Sequence, residues 1–489
     1  MCLLTAWLAA AALPQTALGQ ALPENDHETA SDAGPSLQEQ MDALRSELHQ
    51  LKAAEAIPPS TPPAWLNANQ LPLNANQLPL SVTYGYNAGG GFTRLADADE
   101  EFTVNLQNQL TLDGTFYDQP NMPTTEIGFN IPFYRSYLYG NITKDWDYQI
   151  SVQGFLGEFN VLDAWVNYTV NDALHIRAGR QLSPLLYEYW GFSPAWEPVI
   201  TNSLLFQVAG KRQMGVMAWG RLADNTAQYQ AGVFNGIEGG FYDLDRSVDF
   251  LGSFTLTPWK GSGDVLDSLG AGISVQTGMQ NYALNAGNTS AFVNGAGEPT
   301  LNFNYINSTG IPFFQYNNDV YADGLRTKFA PHLFWFGRFS AQAEYIWQQR
   351  RLADAKTVGT TILQGYQVTT SYLLTGESHS GDGLGGWTVV EPLSPFIPSK
   401  CLYGPGAWEL AFQYSEMDVG TDNFALGFAD PATSTNRISQ TMLGLNWWPN
   451  KFTRLSFDWM NDKLNRPVPT GGQLLDQYNT FWTRLAMFF

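Results

Sequence analysis

Basic side chains that could attract anions flank one long segment of the sequence. Arg177 and Arg180 precede the segment from Ser183 to Lys211, and Arg212 follows it directly. Cations grouped in this way raise the local concentration of anions. If the segment folds back between its ends, these side chains come together. The spacing therefore predicts an anion-attracting cluster of Arg177, Arg180, Lys211 and Arg212.

Further charged residues share one parity within segments in which apolar and polar residues alternate. The basic ones are Arg177, Arg326, Lys328, Arg454 and Arg484, and the acidic ones are Asp113, Asp147, Asp163, Glu344, Glu409 and Asp458. Because the two signs nearly balance, one interpretation is that they pair across neighbouring strands and stiffen a wall. The other is that some of them line a site. The candidate site residues are Arg177, Arg180, Lys211, Arg212, Arg326, Lys328, Glu344, Arg454 and Arg484.

A catalytic site is the main competing interpretation. A hydrolase needs a nucleophile, a base and a group that orients the base. Of the histidines, His27 and His49 precede the alternating segments, His332 falls in a predicted turn and His379 in a predicted loop. Only His175 lies in an alternating segment, and a lone imidazole beside an arginine indicates a wall residue. We therefore expect no enzyme and no cofactor. The cysteines, Cys2 and Cys401, have no metal-ligand spacing, so no metal site is expected.

The elements that position these side chains are strands. From Phe102 onward, runs with a period of 2 recur, and this period puts successive side chains on opposite faces of a strand. In the last run, Phe481, Leu485, Met487 and Phe489 share one parity, while Tyr478, Thr480 and Arg484 share the other. This run is typical of the closing strand of an outer-membrane barrel, with one face for lipid and one for a watery interior.

Composition favours the same architecture. Charged residues make up only 14%, about half the share usual in soluble chains, and aromatic residues another 14%. After the N-terminus, no stretch reaches the roughly 18 apolar residues of a spanning helix. A membrane chain of this kind must close a barrel, because lipid cannot satisfy an open sheet edge. The runs predict an all-β, transmembrane antiparallel barrel of about 16 strands, and the net charge of −20 argues against a nucleic-acid partner.

The N-terminal part shows other patterns. Leu37, Met41, Leu44, Leu48 and Leu51 form a heptad seam, which predicts a short coiled coil that joins subunits, or else a lone amphipathic helix. A tandem LNANQLP repeat follows and indicates a spacer. The expected organisation is a signal peptide over 1–20, a disordered segment over 21–35, a coiled-coil helix over 36–57, a Pro/Asn/Gln-rich linker over 58–80 and the barrel over 81–489.

The connections between runs also differ in length. Short links such as 171–173 and 449–451 mostly alternate with long ones such as 183–211, 280–318 and 419–436. Short periplasmic turns and long outer loops are typical of such barrels. The long link 378–404 falls on the short-turn side, so either the strand count is off or this segment folds into the barrel.

Several stretches, in this order, resemble the phosphate-selective porin O and P family. They are Ala178-Gly179-Arg180 with Pro184 and Glu188, Gly210 to Gly215, Gly232 to Gly236, Ser371 to Glu377, Gly406 to Leu410, Leu443 to Trp447, and Arg454 to Ser456. The resemblance implies a trimeric porin of sixteen strands, with inward-folded segments and cations that attract anions. Leu182 stands where the family motif has a lysine, which argues against carrying phosphate selectivity over.

The expected function is passive diffusion of small hydrophilic solutes, and the basic cluster predicts a preference for anions among them. The expected location is the bacterial outer membrane, with the N-terminal helix in the periplasm. The expected partners are outer-membrane lipid, small solutes or anions, and two further copies in a homotrimer. The alternatives are a barrel with a plugged lumen that tethers the envelope, and an outer-membrane hydrolase.

Overall fold

The computed structural model describes residues 81–84, 93–97, 99–122, 128–155, 158–191, 196–241, 243–283, 304–379 and 386–489. The chain divides into two units, Met1–Ala75 and Asn76–Phe489, and all described residues belong to the second. The predicted signal peptide, disordered segment, coiled-coil helix and linker lie outside the described residues.

Sixteen antiparallel strands close into a barrel, which confirms the predicted fold class. They are β3 (Thr103–Tyr117), β5 (Tyr134–Thr143), β6 (Trp146–Phe155), β7 (Glu158–Asn171), β8 (Leu174–Leu182), β9 (Arg212–Leu222), β10 (Ala227–Phe234), β11 (Asp249–Leu256), β12 (Gly270–Ala283), β15 (Tyr321–Trp335), β16 (Phe339–Ala353), β17 (Val358–Leu373), β20 (Ala407–Asp418), β21 (Arg437–Asn450), β22 (Thr453–Thr470) and β23 (Gln473–Phe488). The last strand pairs with the first, with Leu485 opposite Leu112. The terminal run is thus the closing strand, as its alternation predicts.

Shorter elements complete the described chain. They are β1 (Ser81–Tyr84), β2 (Thr93–Ala96), β4 (Gly128–Asn130), β13 (Tyr305–Ile306), β14 (Pro312–Phe314), β18 (Phe396–Ile397), β19 (Leu402–Tyr403), the helices α1 (Tyr187–Trp190) and α2 (Asp422–Ala425), and 3₁₀ turns at Leu204–Val208 and Pro398–Lys400. Strand β4 pairs with β3 and precedes β5 on the same side of it. Strand β2 pairs with the start of β3. None of the described helices is long and apolar enough to cross a membrane.

The two faces of the barrel wall differ as the alternation predicts. On β22, the outward Phe457 is 48% exposed, whereas the inward Asp458 is 6% exposed. Outward positions on other strands also carry exposed apolar side chains, among them Ile273, Leu410 and Leu443. An apolar outer band of this kind suits hydrocarbon.

The inward face of the barrel carries more buried apolar side chains than the sequence predicts. Inward positions on the wall include the buried apolar residues Met217, Ile346 and Leu363. They belong to one buried cluster with Leu205 and Phe314, which come from the links 183–211 and 284–320. Strand parity cannot distinguish a wet inward position from one that is covered by a link, because both lie on the same face.

The barrel end that holds the start of β3 and the end of β23 is called the C-terminal rim here. Long links 183–211, 284–320 and 419–436 leave the opposite rim, but the connections 156–157, 354–357 and 471–472 at that rim are short. The link 374–406 leaves the C-terminal rim, so the strand count is right. His379 and Trp387 of this link contact the inward residues Glu409 and Gln342. The link therefore folds into the barrel.

Candidate functional site

Glu344 of β16 anchors the link 183–211 to the wall. Its Oε1 accepts a hydrogen bond from the backbone N–H of Tyr187 at 2.5 Å, and its Oε2 accepts one from Glu188 at 3.1 Å. These N–H groups open the short helix α1, where no earlier carbonyl within the helix can pair with them. The carboxylate supplies the missing acceptors across the barrel interior.

Charged groups on β22 and β23 bind the next part of the same link. The Oδ2 of Asp458 accepts a hydrogen bond from the backbone N–H of Ile200 at 2.7 Å. Arg484 donates to the carbonyl of Ile200 at 2.7 Å, and Arg454 donates to the carbonyl of Glu197 at 2.6 Å. Arg484 also forms an ion pair with Asp113 on the adjacent strand, at 2.7 Å. Some of the balanced charges therefore pair across strands, as one interpretation expects, and several others bind link backbone, which neither interpretation predicts.

Arg326 and Lys328 of β15 hold a third piece of backbone. Arg326 forms ion pairs with Asp249 and with Glu238, the latter at 2.9 Å, and Lys328 pairs with Glu238. Lys328 also donates to the carbonyl of Val208 at 2.9 Å. Both cations are almost completely buried, with exposures of 1% and 0%. Their charges are therefore used to hold the links 235–248 and 183–211.

The basic residues that flank the link 183–211 lie near one another but in different environments. Arg212 forms an ion pair with Asp163 at 2.9 Å and donates to the hydroxyl of Tyr189 at 3.2 Å. Arg180 is 2% exposed and donates to the carbonyls of Leu162, Gly239 and Gly240. Lys211 is 3% exposed and lies over the ring of Phe206, with its Nζ 5.4 Å from the centroid.

Arg177 differs from the other cations. Its Cζ lies 4.0 Å from the ring centroid of Trp165 and 5.3 Å from that of Trp219. Its Nε is buried without a hydrogen-bond partner, and among the described residues its guanidinium forms no ion pair. The side chain as a whole is partly exposed. Arg177 is thus a wall cation whose charge is not used to hold a link.

Arg177 lies on the more open part of the described wall. Register places Asp147, Asn167, Arg177 and Met217 side by side across β6 to β9. Inward residues near it keep partial exposure: Tyr139, Gln149, Trp165, His175 and Trp219. On the other half of the wall, the inward Arg326 and Arg454 are at most 2% exposed. Asn167 and Met217 beside Arg177 are buried, so the described links cover this part of the wall incompletely and do not leave it bare.

Among the residues that the structure describes, the histidines do not form a catalytic arrangement. His175 contacts Thr169 through its Nδ1 at 2.9 Å and stacks on Trp219 with 4.0 Å between ring centroids. The prediction that His332 lies in a turn is wrong. It lies within β15, bonds Thr255 at 3.0 Å and stacks on Tyr187. Pro331, which precedes His332, would be expected to interrupt the strand. The pairing of β15 with β16 does skip Pro331, but the pairing of β15 with β12 continues through it.

His379 lies in a link, as predicted, and its Nε2 is 2.8 Å from Glu409. In the described part of the chain, no group of three or more His, Cys, Asp or Glu side chains is placed to hold a metal ion.

Buried carboxylates in the links have shifted pKa values of opposite sign. Burial raises the pKa of Glu188, although Ser203 donates to both of its oxygens and Asn202 also bonds it. Burial and the nearby charge of Glu188 raise the pKa of Glu197 well above its usual value. Burial also acts to raise the pKa of Glu238, but Arg326 and Lys328 outweigh it and lower that pKa.

The sequence interpretation missed the aromatic neighbours of Arg177. Trp165 lies two residues after Asp163 in the same strand, so parity alone places its side chain inward. Trp219 shares its parity with the buried Met217. The signal was therefore present in the alternation, but charged residues alone were considered for the site.

A closed barrel with an apolar outer band and an interior narrowed by inward links defines a channel of the outer-membrane porin class. The family model for "Phosphate-selective porin O and P" matches residues 104–472. This chain belongs to that family, and it is an outer-membrane porin.

The individual relatives share little sequence identity with this chain. Porin O of Pseudomonas aeruginosa is 25% identical over 434 residues, which cover 82% of this chain and 91% of that protein. Among solved structures, an anion-selective porin from Comamonas acidovorans is 12% identical, with 80% of this chain and all of that chain covered at a TM-score of 0.45. The outer-membrane channel DcaP of Acinetobacter baumannii is 14% identical, with 80% and 99% covered at a TM-score of 0.46.

Proposed function

We propose that this porin prefers anions among the small hydrophilic solutes that it passes, and that Arg177 carries this preference. The observation that supports the proposal is an arginine that is partly exposed as a whole and forms no ion pair with a described residue, on the more open side of the wall. Arg180, Lys211 and Arg212 lie around the adjacent link and add positive potential, which Asp163 offsets in part.

The proposed preference is for small anions in general and not for phosphate in particular. The family description names phosphate, and the relative is called Porin O. In this chain, Leu182 lies directly opposite Arg212, at the position where the family motif has a lysine. The cation that the family motif places opposite Arg212 is therefore missing. A doubly charged anion gains most from two adjacent cations, whereas a singly charged anion needs only one.

We assign no catalytic role to His175, because its ring is held against Trp219 and Thr169. The heptad seam over 36–57 leads us to propose a homotrimer with its N-terminal helices in the periplasm. Neither the role of His175 nor the homotrimer affects the proposed ion preference.

The ion preference can be tested by the reversal potential of the purified porin in a planar bilayer across a potassium chloride gradient. The wild-type channel is expected to be anion-selective, because the guanidinium of Arg177 should attract anions to this part of the wall. Arg177→Gln should shift the reversal potential toward cations. Arg437→Gln is a matched control, since Arg437 is half exposed and paired with Asp418 at the barrel edge. A cation-selective wild type, or an unchanged potential in Arg177→Gln, would contradict the proposal.

A further inference from the structure

We infer that Arg177, Trp165 and Trp219 form a binding subsite for aromatic monocarboxylates; this inference rests on the proposed anion preference. The guanidinium of Arg177, which forms no ion pair with any described residue, lies near two indole rings, and all three residues are partly exposed. A guanidinium binds a carboxylate through two parallel N–H donors, and indoles bind the apolar ring attached to it.

The wall geometry lets the guanidinium of Arg177 approach Trp165 closely. Its cross-strand partner is Gly179, and the partner of Gly179 on β9 is Gly215, so two inward positions in this row have no side chain. Gly179 has φ +127, and a Cβ there would lie 2.3 Å from the carbonyl oxygen of Ala164. Only glycine fits this position without strain. The guanidinium of Arg177 can lie against Trp165 because no side chain stands opposite that indole.

The second indole is held rigidly. Trp219 donates from Nε1 to the Oδ1 of Asn167 at 2.8 Å, and one face of its ring stacks on His175. The His175 ring is in turn fixed by Thr169. A ring fixed in this way loses little freedom when a ligand binds beside it. The edges of fixed indoles carry partial positive charge and favour the face of an aromatic ligand.

Local charge selects a singly charged ligand. Asp147 lies beside Asn167, which donates to it at 2.7 Å, and it is the nearest carboxylate in the same row as Arg177. Asp163 is neutralised by Arg212. Asp147 repels any anion at Arg177. A phosphate dianion also costs more to remove from water than a monocarboxylate, and one guanidinium neutralises only half of its charge, whereas a monocarboxylate forms a neutral pair with it.

The experiment compares how potassium benzoate, cyclohexanecarboxylate, acetate and inorganic phosphate reduce the chloride current through single channels in a planar bilayer. Benzoate should reach half-block at a concentration about tenfold below that of acetate, because ring stacking adds to the shared carboxylate contact. Cyclohexanecarboxylate should lie between them. Phosphate should block no better than acetate.

Single substitutions show which side chains cause the stronger block by benzoate. Trp219→Leu should bring the benzoate and acetate values together, and Arg177→Gln should weaken both. Trp347→Leu is the matched control, because this indole lies on an outward position of β16 and packs on Phe329. Circular dichroism establishes that each variant is folded.

The outcomes separate this inference from the proposed function. If the wild-type channel is anion-selective but benzoate and acetate block equally, or phosphate blocks best, the subsite is wrong and the anion preference stands. If Trp347→Leu abolishes the benzoate preference as Trp219→Leu does, the subsite is also wrong. A cation-selective channel would overturn both.

Discussion

At the scale of single residues, two link carboxylates should respond to pH in opposite directions. The raised pKa of Glu188 means that its contribution to stability is fully present below the value of an unfolded glutamate, about 4.3, and is lost as pH rises through its folded pKa. The lowered pKa of Glu238 means that its contribution is present above that value and is lost as pH falls through its folded pKa. The free energy of unfolding in urea, measured from about pH 3 to about pH 8, tests both signs.

Each carboxylate serves as the control for the other. The stability difference between wild type and Glu188→Gln should fall as pH rises, whereas the difference for Glu238→Gln should rise. Taking differences removes the titration of all groups that the proteins share. Two differences of the same slope would show that one of the assigned environments is incorrect.

At the scale of elements, the inward link 183–211 should depend on Glu344. Glu344→Ala removes the acceptors of two buried N–H groups in α1, at Tyr187 and Glu188. A buried donor that is left without an acceptor costs about 1–3 kcal/mol, and a loss of about 1.4 kcal/mol corresponds to a tenfold change in an equilibrium. Amide hydrogen exchange over Tyr187–Trp190 should therefore accelerate at least tenfold, as measured by mass spectrometry.

Glu416→Ala is the control for this element. Glu416 lies on the outward parity of β20 and contacts Arg437 at 3.8 Å, away from the link. Exchange in α1 should be unchanged in this variant. Unchanged exchange in Glu344→Ala would mean that the link is held by its buried apolar contacts alone.

The inward charged residues show which features could be predicted from the sequence and which could not. Alternation predicted the strands and placed Arg326, Arg454 and Asp458 inward, because a period of 2 fixes the face of each residue. It could not identify their partners. Asp458 binds the backbone of Ile200, 258 residues earlier in the chain, and backbone groups carry no sequence signature. The positive φ of Gly179 and the pairing gap at Pro331 are also not visible in a count of parity.

At the scale of the whole molecule, the two rims should face different compartments. Chemical labelling of Cys401 shows which rim faces the periplasm. Cys401 is exposed and lies in the link that leaves the C-terminal rim. Outer-membrane barrels turn their termini to the periplasm. A maleimide with a polyethylene glycol chain too large for the channel should therefore leave Cys401 unlabelled in intact cells and label it after the outer membrane is broken.

A thiol on the opposite rim is the control. In a Cys401→Ser background, Lys356→Cys places an exposed thiol in the 354–357 turn of the opposite rim, and this thiol should be labelled in intact cells. Labelling of Cys401 but not of Lys356→Cys in intact cells would mean that the barrel is inserted the other way round.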